Sequence, residues 1–433
     1  MSRLDVRVRG HLSTLSDAEL SPLLDRQPME AEGVGEAVAA LIADVRLRGD
    51  DALFEMASRF DGVELESLEV PREAWRKAVD GLDAPVRRGL ERAAWNIETF
   101  HAAQLPDDIT VEVEPGVRIT RTWAPLARVG VYAPGGTAAY PSSVLMGVVP
   151  ARTAGVDEVM VCSPPGPDGS PPAEVLAACA IAGADRLFAL GGAGAVAALA
   201  FGTSSVPTVD AIVGPGNRWV TEAKRQVAGT VVIDSPAGPS EVLVLVDETG
   251  DPRLAAHELL AQAEHDPDAS CVLVSTSRDV ANKTEQALVE LLEDAPRGLI
   301  ARRALADEGG FLIAESMEQA LAFTDRYAPE HLSIMTADAA SHARALRNSG
   351  TTFVGPWASV AFGDYMTGAN HVLPTAGRAR SFSGLSTTHF IRSFTIQEIT
   401  EEGARSLAPD VEVLADAEGL PGHADAARAR SRP

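Results

Sequence analysis

Cysteine is scarce in this chain: Cys162, Cys179 and Cys271 are the only three in 433 residues. So few in so long a chain exclude a disulfide framework. Each lies in an apolar run (Val159-Met-Val-Cys162, Leu176-Ala-Ala-Cys179, Ser270-Cys271-Val-Leu-Val274), so buried, inert thiols are expected. Basic residues are also in short supply, 37 Lys and Arg against 61 Asp and Glu, for a net charge of −24. With no basic excess to neutralise phosphates, nucleic acid and anionic membrane surfaces are excluded as partners. No apolar run reaches transmembrane length, and Met1-Ser-Arg-Leu-Asp-Val-Arg7 lacks the apolar core of a secretion signal. A cytoplasmic protein is the expectation. What remains is ordinary for a globular protein, 45% hydrophobic and 23% charged, at a length that calls for two or more domains.

Residues 1 to about 28 are polar, carry Pro22 and Pro28, and read as an N-terminal arm or short helices. Gly35 to Arg48 and Pro85 to Gln104 place apolar residues at three- and four-residue spacing, the mark of helices. Asp107 to Trp123 alternates and reads as antiparallel strands joined at Pro115-Gly116. From about residue 127 strands and helices alternate. The first set of strands is Val129–Tyr132, Val156–Cys162, Arg186–Leu190, Val209–Val213 and Thr230–Asp234, with helices between them. A second set follows: Glu241–Asp247, helix Leu254–His265, Cys271–Ser275, helix Asp279–Glu293, Phe311–Ala314, helix Met317–Arg326 and Leu332–Met335. This rhythm predicts an α/β fold with two Rossmann-like parallel-sheet domains and small helical N-terminal and C-terminal segments. The end of the chain, Ala424 to Pro433, has little to bury and is expected to fray.

Five stretches can carry chemistry. Arg326-Tyr-Ala-Pro-Glu-His-Leu-Ser333 sets a carboxylate, Glu330, beside an imidazole, His331. Pro329 fixes its own φ and pushes Ala328 out of the helical region, so the pair is aimed from a stiff corner between a helix and a strand. An acid and a base so placed suit proton transfer; the plain alternative is an exposed loop. Gly191-Gly-Ala-Gly194-Ala-Val-Ala197 follows a strand and opens a helix, the context of a dinucleotide-binding turn, but its candidate acid, Asp210, lies sixteen residues past Gly194, short of the usual spacing. Gly214-Pro-Gly-Asn217 sits between a strand and a helix, where Asn217 is either an N-cap or a polar group at the sheet's C-terminal edge. Gln262 and His265 are three apart on one face of a helix and could clasp a metal; His257 could share that face, spacing does not choose between them, and on these residues alone a capped helix end is the better account. The Gly363 to Gly377 loop holds Asp364, Asn370 and His371 among restrictive residues, as binding loops do. Glu418 and His423 stand near the C-terminus and by themselves read as tail.

Taken together these stretches resemble the histidinol dehydrogenase family over nearly the whole chain. The resemblance rests on Ile233-Asp-Ser-Pro-Ala-Gly-Pro-Ser-Glu-Val242 running on to Ala263-Glu-His265, on Arg326 to His331, on Gly363-Asp-Tyr through Asn370 to Thr375, and on Gly214 to Gln226. It implies a homodimeric zinc enzyme, one Zn2+ per subunit, that oxidises L-histidinol to L-histidine through the aldehyde with two NAD+ in sequence, the last step of histidine biosynthesis. It further implies that Gln262, His265, Asp364 and, from the other subunit, His423 hold the zinc. Glu330 and His331 are then the proton-transfer pair, and Ser240, His371 and Glu418 contact substrate together with the metal ligands and His331. Tyr132, Asn217 and position 194 fall where the family contacts nucleotide. The family carries Gln where this chain has Gly194, which removes a side-chain contact to NAD+. The implied division is residues 1–28 as arm, 29–128 with 241–385 as the metal and catalytic domain, 129–240 as the nucleotide domain, and 386–433 as a dimerisation segment. Two alternatives are a zinc- and NAD-dependent relative acting on another small polar alcohol, which Glu418 and His371 disfavour, and a non-enzymatic metal or nucleotide sensor, which the retained Glu330 and His331 disfavour.

Overall fold

The computed structural model describes residues 4–26, 33–135, 139–235 and 238–431; Pro28, Gly136 and the Pro236-Ala237 step of the signature run lie outside them. The fold is α/β, built on two parallel sheets. The larger has six strands in the order Val8–His11, Gly309–Ile313, Ser270–Ser275, Glu241–Val246, His331–Met335, Thr351–Val354, every neighbouring pair parallel. The other has five, in the order Arg186–Ala189, Glu158–Ser163, Arg128–Tyr132, Ala211–Val213, Val232–Ile233, also all parallel.

The central strands read as unbroken apolar runs because helices cover both faces of a parallel sheet. Glu-Val-Leu-Val-Leu-Val246 is buried at every position. Alternate residues divide between two cores: Val242, Val244 and Val246 pack with Ala255, Leu259 and Leu288, while Leu243 and Leu245 pack with Leu20, Leu23, Phe323 and Tyr327. All three cysteines are buried, and burial pushes each thiol well above its ordinary pKa, as inert thiols require.

Several elements add to the sequence reading. Residues 4–26 belong with the six-stranded sheet, one strand joining its edge and one helix packing on its face. Val8–His11 is an edge strand, and helix Asp17–Leu24 starts at a capping box of Ser16 and Glu19 and buries Leu20 and Leu23. Helix Gly298–Glu308 buries Gly298, Ala301, Ala304 and Leu305, residues mostly too small to give a periodic signal. The antiparallel pair Ile109–Glu114 and Val117–Pro125 forms as expected, and Ile391–Ile399 joins it as a third strand. The C-terminal run expected to fray is instead helix Pro421–Ser431, packed on helix Glu401–Ala417, where Ala424 is buried. No helix of the described residues is long and apolar enough to cross a membrane.

Asp247 closes the central strand. It accepts from Thr249 N (2.9 Å), Thr249 Oγ1 (2.6 Å) and Ala337 N (2.8 Å), tying that strand to the end of His331–Met335. Burial works against its charge, but these bonds outweigh it and hold the carboxyl below its ordinary pKa. A carboxyl lowered by folding stabilises above its unfolded pKa, and that stability is lost as pH falls through the folded value. Asp247→Asn turns an amino group toward the Ala337 N–H and is expected to cost about 1–3 kcal/mol at pH 7. Urea melts should show the gap to wild type narrowing as pH falls below ~4, where the unfolded carboxyl protonates, until the native carboxyl protonates too; a gap that stays constant would contradict this account.

Candidate active site

Glu330 and His331 lie where helix Met317–Tyr327 gives way to strand His331–Met335. The corner is irregular, as Pro329 demands. Ala328 leaves the right-handed helical region for φ +52°, ψ +64°, the left-handed region that costs an L-residue about 1–2 kcal/mol. Through this corner two adjacent side chains reach the backbone of one residue, Glu241. The Glu241 N–H donates to Glu330 Oε2 at 2.7 Å, and the Glu241 carbonyl accepts from His331 Nδ1 at 2.9 Å. Nδ1 also lies 3.5 Å from Glu330 Oε2. Gly350 permits the close approach, since a Cβ there would stand 2.6 Å from the Glu330 carbonyl oxygen.

A carbonyl only accepts, so Nδ1 carries the hydrogen and the reactive position of the ring is Nε2. Nε2 is buried and has no hydrogen-bond partner among the described residues. It faces Asp364 Oδ1 at 3.6 Å, beyond hydrogen-bond length, and lines a cavity of about 10 Å³, the room of one water, with Thr351, Phe353, Asp364, Asn370 and His371. Glu330 is buried, which pushes its carboxyl upward, partly offset by His331 and the Glu241 N–H. Burial opposes charge on His331, but the carboxylates of Glu330 and Asp364 outweigh it and push the imidazole upward too. Each group's charge therefore depends on the other's across the 3.5 Å contact.

Asp364 was expected in a loop but lies on the short helix Val360–Tyr365. Glu258, buried on helix Pro252–Ala263, accepts from the Val360 N–H at 2.9 Å and fixes where that short helix starts. Burial opposes charge on Asp364 as well, but His331, with help from His371 and His265, holds its carboxyl below the ordinary range. His371 Nδ1 donates to the Asp364 carbonyl at 2.9 Å, and burial lowers its pKa, keeping the ring neutral. Asn370 anchors the loop, donating to the Met146 carbonyl at 2.8 Å.

Gln262 is buried in the last turn of helix Pro252–Ala263, but His265 is not on that helix. The expected helix through His265 stops at Ala263, because Asp266 folds into a turn with its side chain accepting from Asp268 N and leads into Pro267. His265 is exposed in that turn, with its N–H on the Gln262 carbonyl at 3.2 Å. Glu418 and His423 are exposed on the C-terminal helix pair, and their backbone N–H groups bond within it, to Leu414 and Leu420. Among the described residues no group of three or more His, Cys, Asp or Glu side chains gathers closely enough to hold a metal ion. The donors of one chain therefore suit zinc in kind, with amide, imidazole and an ionised carboxylate beside an orphaned ring nitrogen, but do not close a site.

The nucleotide-side candidates gather at the C-terminal edge of the five-stranded sheet. Tyr132 ends its strand, is buried, and its hydroxyl accepts from Gly192 N at 3.1 Å at the start of helix Gly192–Phe201; burial raises its pKa to about 12. Asn217 is the N-cap of helix Arg218–Val227, accepting from Trp219 N at 3.0 Å and Val220 N at 3.2 Å. Gly194 lies inside its helix, where a Cβ would meet Met56 Sδ at 2.9 Å, so this position abuts the Asp50–Met56 helix. Ser240 precedes the central strand and accepts from Ser270 N through its carbonyl at 3.0 Å. Glu241, Glu258 and Arg26 were not singled out in the sequence. An acid heading a fully apolar strand was the available signal for Glu241; Arg26, in a polar arm, offered none.

The histidinol dehydrogenase family model matches residues 24–431. Histidinol dehydrogenase of Methanosarcina mazei is 47% identical over 420 residues, covering 97% of this chain and 96% of that protein. The Vibrio parahaemolyticus enzyme is 45% identical over 415 residues, covering 95% of each. The crystal structure of histidinol dehydrogenase from Elizabethkingia anophelis superposes with a TM-score of 0.94 at 33% identity, covering 99% of both chains. Matched over nearly its whole length by the family model, its relatives and a solved structure, the chain belongs to the histidinol dehydrogenase family, oxidoreductases of histidine biosynthesis.

Proposed function

We propose that this chain oxidises L-histidinol to L-histidine through L-histidinal, passing hydride to two NAD+ in sequence, as a homodimer in the cytoplasm with one zinc ion per subunit. The observation that carries the reading is His331 Nε2, a buried ring nitrogen with no partner whose opposite nitrogen is fixed by a backbone carbonyl. Gln262, His265, Asp364 and the partner subunit's His423 would hold the zinc, which when bound supplies Lewis-acid polarisation of the substrate oxygen and a grip on its imidazole and amine. His331 takes the hydroxyl proton at Nε2 as hydride leaves the carbon. In the second half-reaction Glu330 draws a proton from water as it adds to the aldehyde, and its raised pKa suits that exchange near neutrality. The backbone of Glu241 orients both groups. His371, Ser240 and Glu418 orient the substrate. On the nucleotide side the N-terminus of helix Gly192–Phe201 offers N–H donors and Tyr132 braces its first turn, while Gly194 adds no side-chain contact.

Zinc-loaded protein given L-histidinol should form two NADH per histidinol consumed, read at 340 nm. Faster turnover of another small polar alcohol in a panel would point to a relative of different specificity, and no NADH would sink the reading. Glu330→Gln and His331→Ala should each lower kcat about 10²–10⁴-fold while zinc content by metal analysis stays at wild type; wild-type rates in both would remove the pair from the chemistry. Mixing refolded His331→Ala with His423→Ala chains should recover about a quarter of wild-type activity, since half the dimers are hybrids and each hybrid holds one intact site. If His423 acts within its own subunit, mixing recovers nothing.

A further inference from the structure

We infer that Arg26, in the N-terminal segment, is a positioning residue for the acid–base pair, acting through Glu241. Its guanidinium is 4% exposed and forks onto the Glu241 carboxylate, itself 3% exposed, with Nε to Oε1 at 2.8 Å and NH2 to Oε2 at 3.1 Å. The remaining guanidinium contacts fix its direction. NH1 donates to the Leu23 carbonyl at 2.6 Å, NH2 donates to the Tyr327 carbonyl at 2.8 Å, and the Tyr327 ring lies 3.5 Å from the guanidinium carbon. The Tyr327 hydroxyl is paired with Ser270 Oγ at 2.9 Å. Glu241 Oε1 also accepts from the Ala376 N–H at 2.7 Å.

The same residue, through its backbone, holds both Glu330 and His331. A change of about 0.5 Å in the Glu241 peptide would therefore misdirect both groups together. The backbone around the pair is strained in a way that needs such a clamp. Ala328 and Ala376 are the two non-glycine residues with positive φ among those described, at +52° and +55°. Ala328 follows Tyr327, whose carbonyl Arg26 holds, and Ala376 donates to Glu241. One cation thus braces both left-handed corners and the peptide between them. A lysine cannot reproduce this, because a single ammonium has no planar fork to hold two oxygens and a carbonyl at once.

This assignment rests on the proposed function for its kinetic test but not for its spectroscopic one. Arg26→Met should lower kcat with histidinol about 10²-fold, with KM for histidinol and NAD+ close to wild type. Arg26→Lys should recover part of that loss. Arg26→Met also leaves a buried carboxylate unpaired and should lower Tm; the double variant Arg26→Met/Glu241→Gln should regain Tm yet keep the low kcat. If kcat returns with Tm in the double variant, Arg26 serves stability alone and the inference falls; a raised KM at unchanged kcat overturns it as well. In 15N spectra of histidine-labelled protein, the His331 resonances, assigned by their loss in His331→Ala, should show the Nδ1–H tautomer in wild type and a mixture in Arg26→Met. An unchanged tautomer in Arg26→Met overturns the inference. Wild-type protein inactive on histidinol would count against the proposed function only, and the tautomer would still decide the role of Arg26.

Discussion

A carboxylate at the head of a fully buried strand is the constraint around which this active centre is arranged. Glu241 opens Glu-Val-Leu-Val-Leu-Val246, where water cannot reach it. A buried charge of this kind is tolerable only when paired and hydrogen-bonded, and breaking such a pair costs about 3–5 kcal/mol. Arg26 and the Ala376 N–H meet that demand from two segments remote in sequence. Once the side chain is anchored, the Glu241 peptide is rigid, and Glu330 and His331 hang from its N–H and its carbonyl. The register follows: His331 pairs with Val242 on one side and Thr351 on the other, which puts Glu330 and His331 at the N-terminal edge of the six-stranded sheet.

That location departs from the usual habit of open α/β sheets, whose ligands gather at C-terminal edges. In the five-stranded sheet Tyr132, Gly192 and Asn217 lie at the C-terminal edge, Tyr132 ending its strand and the other two following theirs. In the six-stranded sheet Glu330 and His331 stand at the opposite, N-terminal end of the strands. Ala328 and Ala376 take left-handed conformations, and Gly350 lets the Glu330 carbonyl come close. Among the described residues these two alanines are the non-glycine positions with positive φ: Ala328 is two residues before Glu330, and Ala376 donates to the Glu241 carboxylate.

Much of this was legible in the chain. The alternating strands and helices predict two parallel sheets because fully buried strands read as continuous apolar runs. Asp107 to Trp123 shows its hairpin through alternation and Pro115-Gly116. Pro329 announces an irregular corner at Glu330-His331. Other features were hidden for identifiable reasons. Helix Gly298–Glu308 is packed through alanines and a glycine, and helix Pro252–Ala263 ends early because an Asp266 turn competes with its last bonds. Ile391–Ile399 has no buried face of its own within one chain, so only its pairing with Val117–Pro125 makes it a strand.

The sequence by itself determined the fold class, the inert cysteines, the corner at Pro329 and the residue types needed for proton transfer, because each depends on neighbours in the chain or on hydrophobic pattern. The tertiary structure alone decided which groups meet. It set Arg26 on Glu241 across more than two hundred residues, carried His265 off its helix, and brought Asp364 to 3.6 Å from His331 Nε2. Contacts between distant segments follow from how helices and strands pack, and no spacing within one segment encodes them.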